Sequence, residues 1–446
     1  MKLAMIGAGY VGLTTGACLA DLGHRVVIFD IAKDRVARLR RAELPIFEPG
    51  LDGLIGRMLA AGRLAFTDCI HEAVQEADAA FIAVGTPSRP DGGIDLSQVD
   101  AAARLVAPAL KPGALVVIKS TVVVGTADRV RKIVSEQRGR FDVFVASNPE
   151  FLREGSAISD FMKPDRIVLG FDHQAAGQIL DEIYAPLIGA VPVCRTTTAD
   201  AELTKHTANA FLAMKIGFAN NVADLCEAVG GDVNAVMEAV GLDSRIGRAF
   251  LSAGPGFGGS CFPKDTRAFV HTGRSKSAPQ HLIETVVTAN AERSARLAQR
   301  IISQAGLTSG DTVAILGVAF KANTDDVRES PSLEIARRLL EAGMQLQVHD
   351  PKAAANALHV LGQGVAWPAD PMDAMAGAHA AVLATEWDVY RQLDLRLAAG
   401  AMKGRHFFDF RNLLDANRVN DAGLIYHSIG RTTSRPEFAA ICQAAE

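Results

Sequence analysis

The chain has 446 residues, nearly half of them apolar, enough for two or three domains with sizeable cores. Its formal charge of −4 is small and spread out, with no basic tract, which argues against nucleic acid as a partner. Six cysteines (Cys18, Cys69, Cys194, Cys226, Cys261 and Cys442) lie scattered without a CxxC pair, so neither a metal site nor a disulfide framework is expected, and the pattern fits a reducing, cytoplasmic compartment.

The first predicted strand covers Leu3 to Ile6, so no secretory leader is expected ahead of it. The stretch KLAMIGAGYVGLTTGACLADLGHRVVIFD reads as strand, glycine-rich turn, helix, and a second strand ending in Asp30. Gly7, Gly9 and Gly12 form GxGxxG, a spacing that gives a tight turn, room for a pyrophosphate and close helix packing. The helix start would face the phosphates with its positive end. Asp30 suits the ribose hydroxyls and would repel a 2′-phosphate, which favours NAD over NADP. A glycine-rich turn without a ligand is the plainer alternative.

Two apolar runs follow, AAFIAVGTP (79–87) and ALVVIKST (114–121). Ligands in open α/β sheets sit at the carboxyl ends of strands, which places Thr86 and Thr121 near the cofactor unless they merely terminate strands. Residues 200–230 have apolar residues at helical spacing on more than one side, as expected for a spine between two sheets and a dimer face. Residues 278–305 read as another helix. From 312 to 351 the order strand, turn, helix, strand, acid recurs, with further strands in 379–387 and 406–412. This second unit lacks GxGxxG, since Val318, Ala319, Phe320 and Lys321 follow Gly317, so a second dinucleotide is not expected there. Lys321 at the strand mouth suits a phosphate-bearing ligand. The apolar runs are too short and too interrupted for a membrane span. The expected fold is α/β, with two Rossmann-like domains with parallel sheets joined by a long central helix in a helical dimerisation core. The domains are 1–196, 197–306 and 307–434, with a flexible tail at 435–446.

Three places carry candidate chemistry. Lys205 and Asn209 are four residues apart and share a helix face, which is either a solvated face or, given the apolar residues around them, a covered one. In SNPEFLREGSA, Pro149 reads as a turn opening a helix whose first turn holds Glu150 and Glu154, two acids that fit either acid–base work or plain capping. In GPGFGGSCFPKD (254–265), Gly256, Gly258 and Gly259 allow close approach to a ligand and offer amides to an anion. Cys261 follows, with Lys264 and Asp265 beside it, and adjacent positive charge favours a thiolate over an inert buried thiol. A thiolate beside NAD points to aldehyde oxidation, in which the thiol adds to the carbonyl, hydride loss gives a thioester, and water releases an acid.

The motifs MIGAGYVGL, VGTPSRPDGGIDLS, SNPEFLREGSA, PDRIVLG, ELTKHTANAFLAMKI, GFGGSCFPKD and GVAFKANTDDVRESPS together resemble the UDP-glucose/GDP-mannose dehydrogenase family, from Lys2 to about Gly430. The resemblance implies an N-terminal NAD domain, a helical dimerisation core, a C-terminal nucleotide-sugar domain, and two successive oxidations at C6 of a hexose. It implies Cys261 as the nucleophile, with Lys205 and Asp265 holding and activating water and Lys205 and Asn209 supporting oxyanion charge. Thr121 and Glu154 would line the pocket, with Glu154 assisting thioester hydrolysis and Glu150 a further acid–base group. The nucleotide sugar would meet Glu150, Phe151, Leu152, Lys205, Asn209, the loop with Phe250, Leu251, Gly254 and Gly258, and Lys321. Arg245 would reach a neighbouring subunit's ligand. Besides the glycines, the cofactor side would include Tyr10, Val11, Asp30, Arg35, Thr86, Thr121, Glu154, Lys264 and Arg328. The chain departs from the usual family pattern at Val123 (Pro), His206 (Tyr) and Asn221 (Glu), none of them a proposed catalytic group. The implied substrate is UDP-glucose and the implied assembly a homodimer or higher. GDP-mannose is the alternative substrate, and an NAD or nucleotide-sugar sensor without turnover is the alternative outside catalysis.

Overall fold

The computed structural model describes residues 1–433; the tail expected at 435–446, with Cys442, lies outside the described residues. The chain forms two compact units, Met1–Ala208 with Arg267–Pro279, and Asn209–Thr266 with the chain from Gln280 on.

The first unit is built on eight strands: β1 (Lys2–Ile6), β2 (Arg25–Phe29), β3 (Leu64–Thr67), β4 (Ala79–Ile82), β5 (Leu115–Ile118), β6 (Phe144–Ser147), β7 (Ile167–Phe171) and β8 (Val193–Thr196). Their order is β3-β2-β1-β4-β5-β6-β7-β8. All neighbours are parallel except β6 and β7, which pair antiparallel. Leu3 and Met5 of β1 point into one core and Ala4 and Ile6 into another, so both faces of the sheet are covered. A strand buried on both faces reads as an unbroken apolar run, which is why β1, β4 and β5 were visible in the sequence. The strands β4 and β5 are shorter than those runs, ending at Ile82 and Ile118. The residues beyond them form the loops that carry Thr86 and Thr121.

The second unit holds β9 (Thr312–Leu316), β10 (Gln345–His349), β11 (Ala380–Leu383), β12 (His406–Asp409) and β13 (Ile425–Ser428), all parallel, in the order β10-β9-β11-β12-β13. The helix Pro331–Glu341 makes the crossover from β9 to β10. The acid that follows β10, Asp350, is held by the turns around it. Its Oδ2 accepts from the amides of Val318 and Ala319 at 2.8 and 3.0 Å and from Trp387 Nε1 at 3.3 Å. Its Oδ1 accepts from the amides of Lys352 and Ala353 at 3.0 and 2.8 Å. Five donors saturate a carboxylate with about four lone-pair positions, leaving nothing for a ribose.

The helix Thr198–Val229 has 32 residues and at 1.5 Å per residue is about 48 Å long. Among the described residues, no helix is long and apolar enough to cross a membrane, and no group of three or more His, Cys, Asp or Glu side chains is placed to hold a metal ion.

Candidate active site

In the first unit, the glycine-rich turn leads from β1 into the helix Tyr10–Asp21. A Cβ on Gly12 would lie 1.9 Å from the carbonyl oxygen of Gly7, so only glycine lets the helix sit this close to the turn. A Cβ on Gly9 would meet nothing within 4 Å, so the space over the helix start is open. Asp30 is buried at the end of β2 and accepts from the amides of Ala8 and Ala32, each at 2.9 Å, and from Arg35 Nη1 at 3.0 Å. Three donors leave this carboxylate acceptor capacity. An open helix N-terminus and an unsaturated acid after β2 fit a dinucleotide such as NAD, whose pyrophosphate Gly7, Gly9, Tyr10, Val11 and Gly12 would hold and whose ribose Asp30 would meet.

Glu48, which the sequence reading missed, is buried and takes the amides of Gly155 and Ala157 at 2.6 and 2.8 Å together with the hydroxyl of Tyr10. Burial and the hydrogen bond to Glu48 push the Tyr10 hydroxyl far above its ordinary range, so it stays a donor, and Glu154 is near enough to add to the effect. Glu48 thus fixes the turn behind Glu154 to the first turn of the cofactor helix.

Residues 148–156 are an open loop, and the next helix, Ala157–Met162, begins only afterwards. This corrects the helical reading of Glu150 and Glu154. Glu150 Oε1 instead meets Lys205 Nζ at 2.8 Å, with both side chains at most 5% exposed. Glu150 Oε2 takes the amide of Leu152 at 2.6 Å. Phe151 lies under the guanidinium of Arg166, 3.5 Å from its ring centre, and 5.3 Å from Lys205 Nζ. Lys119, just past β5, is buried and donates to Asn148 Oδ1 at 2.9 Å. Tyr184 donates to the same oxygen at 2.5 Å. Burial pushes the Lys119 ammonium down to about 8; Glu150 opposes the shift and Lys205 adds to it. Nothing local announces Glu48, Lys119 or Arg166 in the sequence, because each meets partners well outside its own turn or strand.

In the second unit, Cys261 immediately precedes the helix Phe262–Ser275, where the amide end favours negative charge on sulfur. Its carbonyl accepts the amide of Asp265 at 2.8 Å, and its Sγ lies 3.5 Å from Ser260 Oγ. Asp265 is fully buried; it accepts from Asn209 Nδ2 at 2.5 Å and from Lys264 Nζ at 2.7 Å. Three of the sequence candidates therefore form one cluster, a turn of helix from Cys261.

Two of the glycines before Cys261 lie against other parts of the chain. A Cβ on Gly258 would lie 2.3 Å from Glu329 O, and one on Gly259 2.8 Å from the Phe320 ring. The Gly259 amide donates to Arg328 O, the Phe257 amide to Asn290 and the Gly254 amide to Asn220. Gly258 and Gly259 thus seat the cysteine loop on the protein's own loop after β9, which carries Lys321 and Arg328, while the helices His281–Ala305 and Thr198–Val229 hold the amides of Phe257 and Gly254. Phe250 holds a left-handed backbone (φ 64°) and packs on Phe262, and Leu251 is buried. Arg328 pairs with Asp326. Arg245 pairs with Asp243, its side chain 86% exposed, and is not drawn into the cluster.

The chain matches family models along most of its length. Residues 1–188 match the NAD binding domain, 199–292 the central domain and 314–416 the UDP binding domain of the UDP-glucose/GDP-mannose dehydrogenase family. It is 48% identical to the UDP-glucose 6-dehydrogenase of Rhizobium meliloti, over 97% of this chain and all of that protein. It is 42% identical to the UDP-glucose 6-dehydrogenase TuaD of Bacillus subtilis, over 97% of this chain and 94% of that one. The solved UDP-glucose dehydrogenase of Pyrobaculum islandicum superposes with a TM-score of 0.90 at 42% identity, covering 96% and 98% of the two chains.

Two predictions follow from this geometry. Replacing Asp30 by Ala removes the carboxylate that a ribose would meet here and frees Arg35 from its partner. Measured kcat/KM should fall about tenfold for NAD and rise for NADP; unchanged preference would remove Asp30 from the ribose. For Lys119, folded and unfolded chains are both protonated below pH 8, whereas between pH 8 and its ordinary 10.5 the unfolded chain holds more protons. Stability must therefore rise with pH there, by up to about 1.4 kcal/mol per unit. Urea midpoints of the protein should gain on those of Lys119→Met across that window, and a constant gap would contradict the shift.

Proposed function

The chain belongs to the UDP-glucose/GDP-mannose dehydrogenase family, and we propose that it oxidises UDP-glucose at C6 to UDP-glucuronate. Bound NAD supplies the hydride acceptor for two oxidations, of the alcohol and then of a thiohemiacetal. The remaining chemistry falls to side chains. The thiolate of Cys261 adds to the C6 aldehyde, forming a carbon–sulfur bond and an oxyanion that takes up a proton. Loss of that proton and a hydride gives a thioester. Water then attacks the carbonyl carbon, the carbon–sulfur bond breaks, and the carboxylate leaves with the thiolate restored.

The observation that carries this reading is Cys261 at the start of a helix, one turn from a buried Asp265 held by Asn209 and Lys264. A sensor would need no thiol so placed. Asp265 and Lys205 are assigned to hold and activate water, Lys205 and Asn209 to support oxyanion charge, and Glu150 to keep Lys205 in place through its ion pair. Thr121 and Glu154 line the pocket, and Glu154 assists hydrolysis. Phe151, Leu152, Phe250, Leu251, Gly254, Gly258 and Lys321 are assigned to the nucleotide sugar, and Thr86, Arg35, Lys264 and Arg328 to the cofactor side. We also assign the domain limits 1–196, 197–306 and 307–434 and a cytoplasmic location.

We also assign a homodimer or larger homo-oligomer. Phe211, Phe218 and Leu225 recur every seven residues on the long helix at 56%, 54% and 60% exposure, and Val229 extends them at 71%. Such a stripe costs free energy in water unless a second copy covers it. Arg245, exposed on its loop, is assigned to the neighbouring subunit's ligand.

Purified protein given UDP-glucose and excess NAD should yield two NADH per sugar consumed. Cys261→Ser should lower uronate formation by at least about a thousandfold. One NADH per sugar would remove the thioester route, and turnover of GDP-mannose alone would move the specificity. Light scattering of Phe218→Asp should report a smaller assembly than the parent; an unchanged mass would place the interface elsewhere.

A further inference from the structure

The loop between β5 and the helix Thr126–Arg138 carries Thr121, and two side chains of the long helix grip it. Glu202 is 3% exposed. Its Oε2 accepts the amide of Gly125 at 2.7 Å, and its Oε1 the amide of Ala127 at 2.8 Å and the hydroxyl of Ser147 at 3.1 Å. His206, four residues on and equally buried, places Nε2 2.8 Å from the carbonyl oxygen of Val122. A carbonyl only accepts, so this nitrogen carries the proton. Glu202, Lys205 and His206 stand at i, i+3 and i+4, on one helix face.

This is more than a helix cap. The cap position of Thr126–Arg138 is Gly125, whose left-handed backbone (φ 94°) brings no side chain. A local Ser or Asp would satisfy the first amides without burying a charge. A cap from Glu202, 77 positions away in sequence, does what a local cap cannot: it sets the loop's position relative to the long helix. The same carboxylate holds Ser147, the last residue of β6, three positions before Glu150. Burial pushes the Glu202 carboxyl up to about 6, while the amides and Ser147 pull it back, which shows how much its charge relies on those donors.

We propose that Glu202 and His206 are positioning residues of the oxidation: they fix the backbone around Thr121 and the start of the Glu150 loop against the helix that carries Lys205. This rests on the assignment of Thr121, Glu150 and Lys205 to the reaction. The two residues touch neither substrate nor cofactor in this reading and act through the loops they hold.

The test uses Glu202→Gln, His206→Ala and His206→Gln, each alone and combined with Thr121→Ala. Glutamine has one acceptor oxygen, so Glu202→Gln leaves an amide of the loop poorly met, and kcat for UDP-glucose should fall about tenfold. In the Thr121→Ala background the same change should cost less than about twofold, because both act on one element. His206→Ala should lower kcat, and His206→Gln, whose amide still donates to Val122, should restore most of it. Effects of Glu202→Gln and Thr121→Ala that multiply independently would overturn the proposal, as would His206→Gln as impaired as His206→Ala. Should Glu202→Gln fail to fold, the His206 pair decides. An unmodified protein that does not oxidise UDP-glucose removes both this proposal and the site assignment, whereas normal turnover with independent variants removes the brace alone.

Discussion

A carboxylate taken out of water must be met by donors, and much of this protein is arranged around that requirement. Asp265 has no exposure, and Asn209 and Lys264 converge on it. Leaving such a charge unmet would cost several kcal/mol, roughly the whole stability of a domain. Its partners are therefore held in place as firmly as any core side chain, and the start of the helix behind Cys261 is held with them.

The same device recurs at several points where a strand gives way to a loop. Asp30 ties the glycine-rich turn to the segment after β2. Glu48 ties the turn after Glu154 to Tyr10, and Glu202 ties the ends of β5 and β6 to the long helix. In the second unit Asp350 binds the turn after β9 to that after β10, and Asp409 gathers the amides of Arg411 and Leu414 with the hydroxyl of Tyr426. Loops at the carboxyl edge of a parallel sheet lack the hydrogen bonds of the sheet itself. A buried acid supplies a fixed point at which several of their amides can end.

The two sheets use one plan to opposite ends. Asp30 keeps acceptor capacity and sits beside an open helix start, whereas Asp350 is filled by five donors, with Trp387 among them. The difference is one of saturation, not of residue type: one acid keeps room for a further donor and the other does not. The glycines make the same point. Gly9 faces open space while Gly258 and Gly259 lie against the chain itself, so a glycine-rich run can serve a ligand or a neighbouring loop.

By itself the sequence determined the α/β character with its two parallel-stranded sheets, the long central helix and the glycine-rich turn after the first strand, and it singled out the candidate reactive groups. These follow from local rules: apolar runs make buried parallel strands, GxGxxG makes one kind of turn, and a thiol between glycines and a lysine is chemically conspicuous. Only the tertiary structure decided that Glu150 pairs with Lys205 instead of capping a helix, that the cysteine-loop glycines pack on the loop after β9, that β7 runs antiparallel, and that Glu48, Lys119 and Glu202 stand behind the loops of the first unit. The physical reason is range. A buried charge is stabilised by donors that the fold brings from far along the chain, Glu48 from residue 155 and Glu202 from residue 125, and no local pattern encodes which donors those will be.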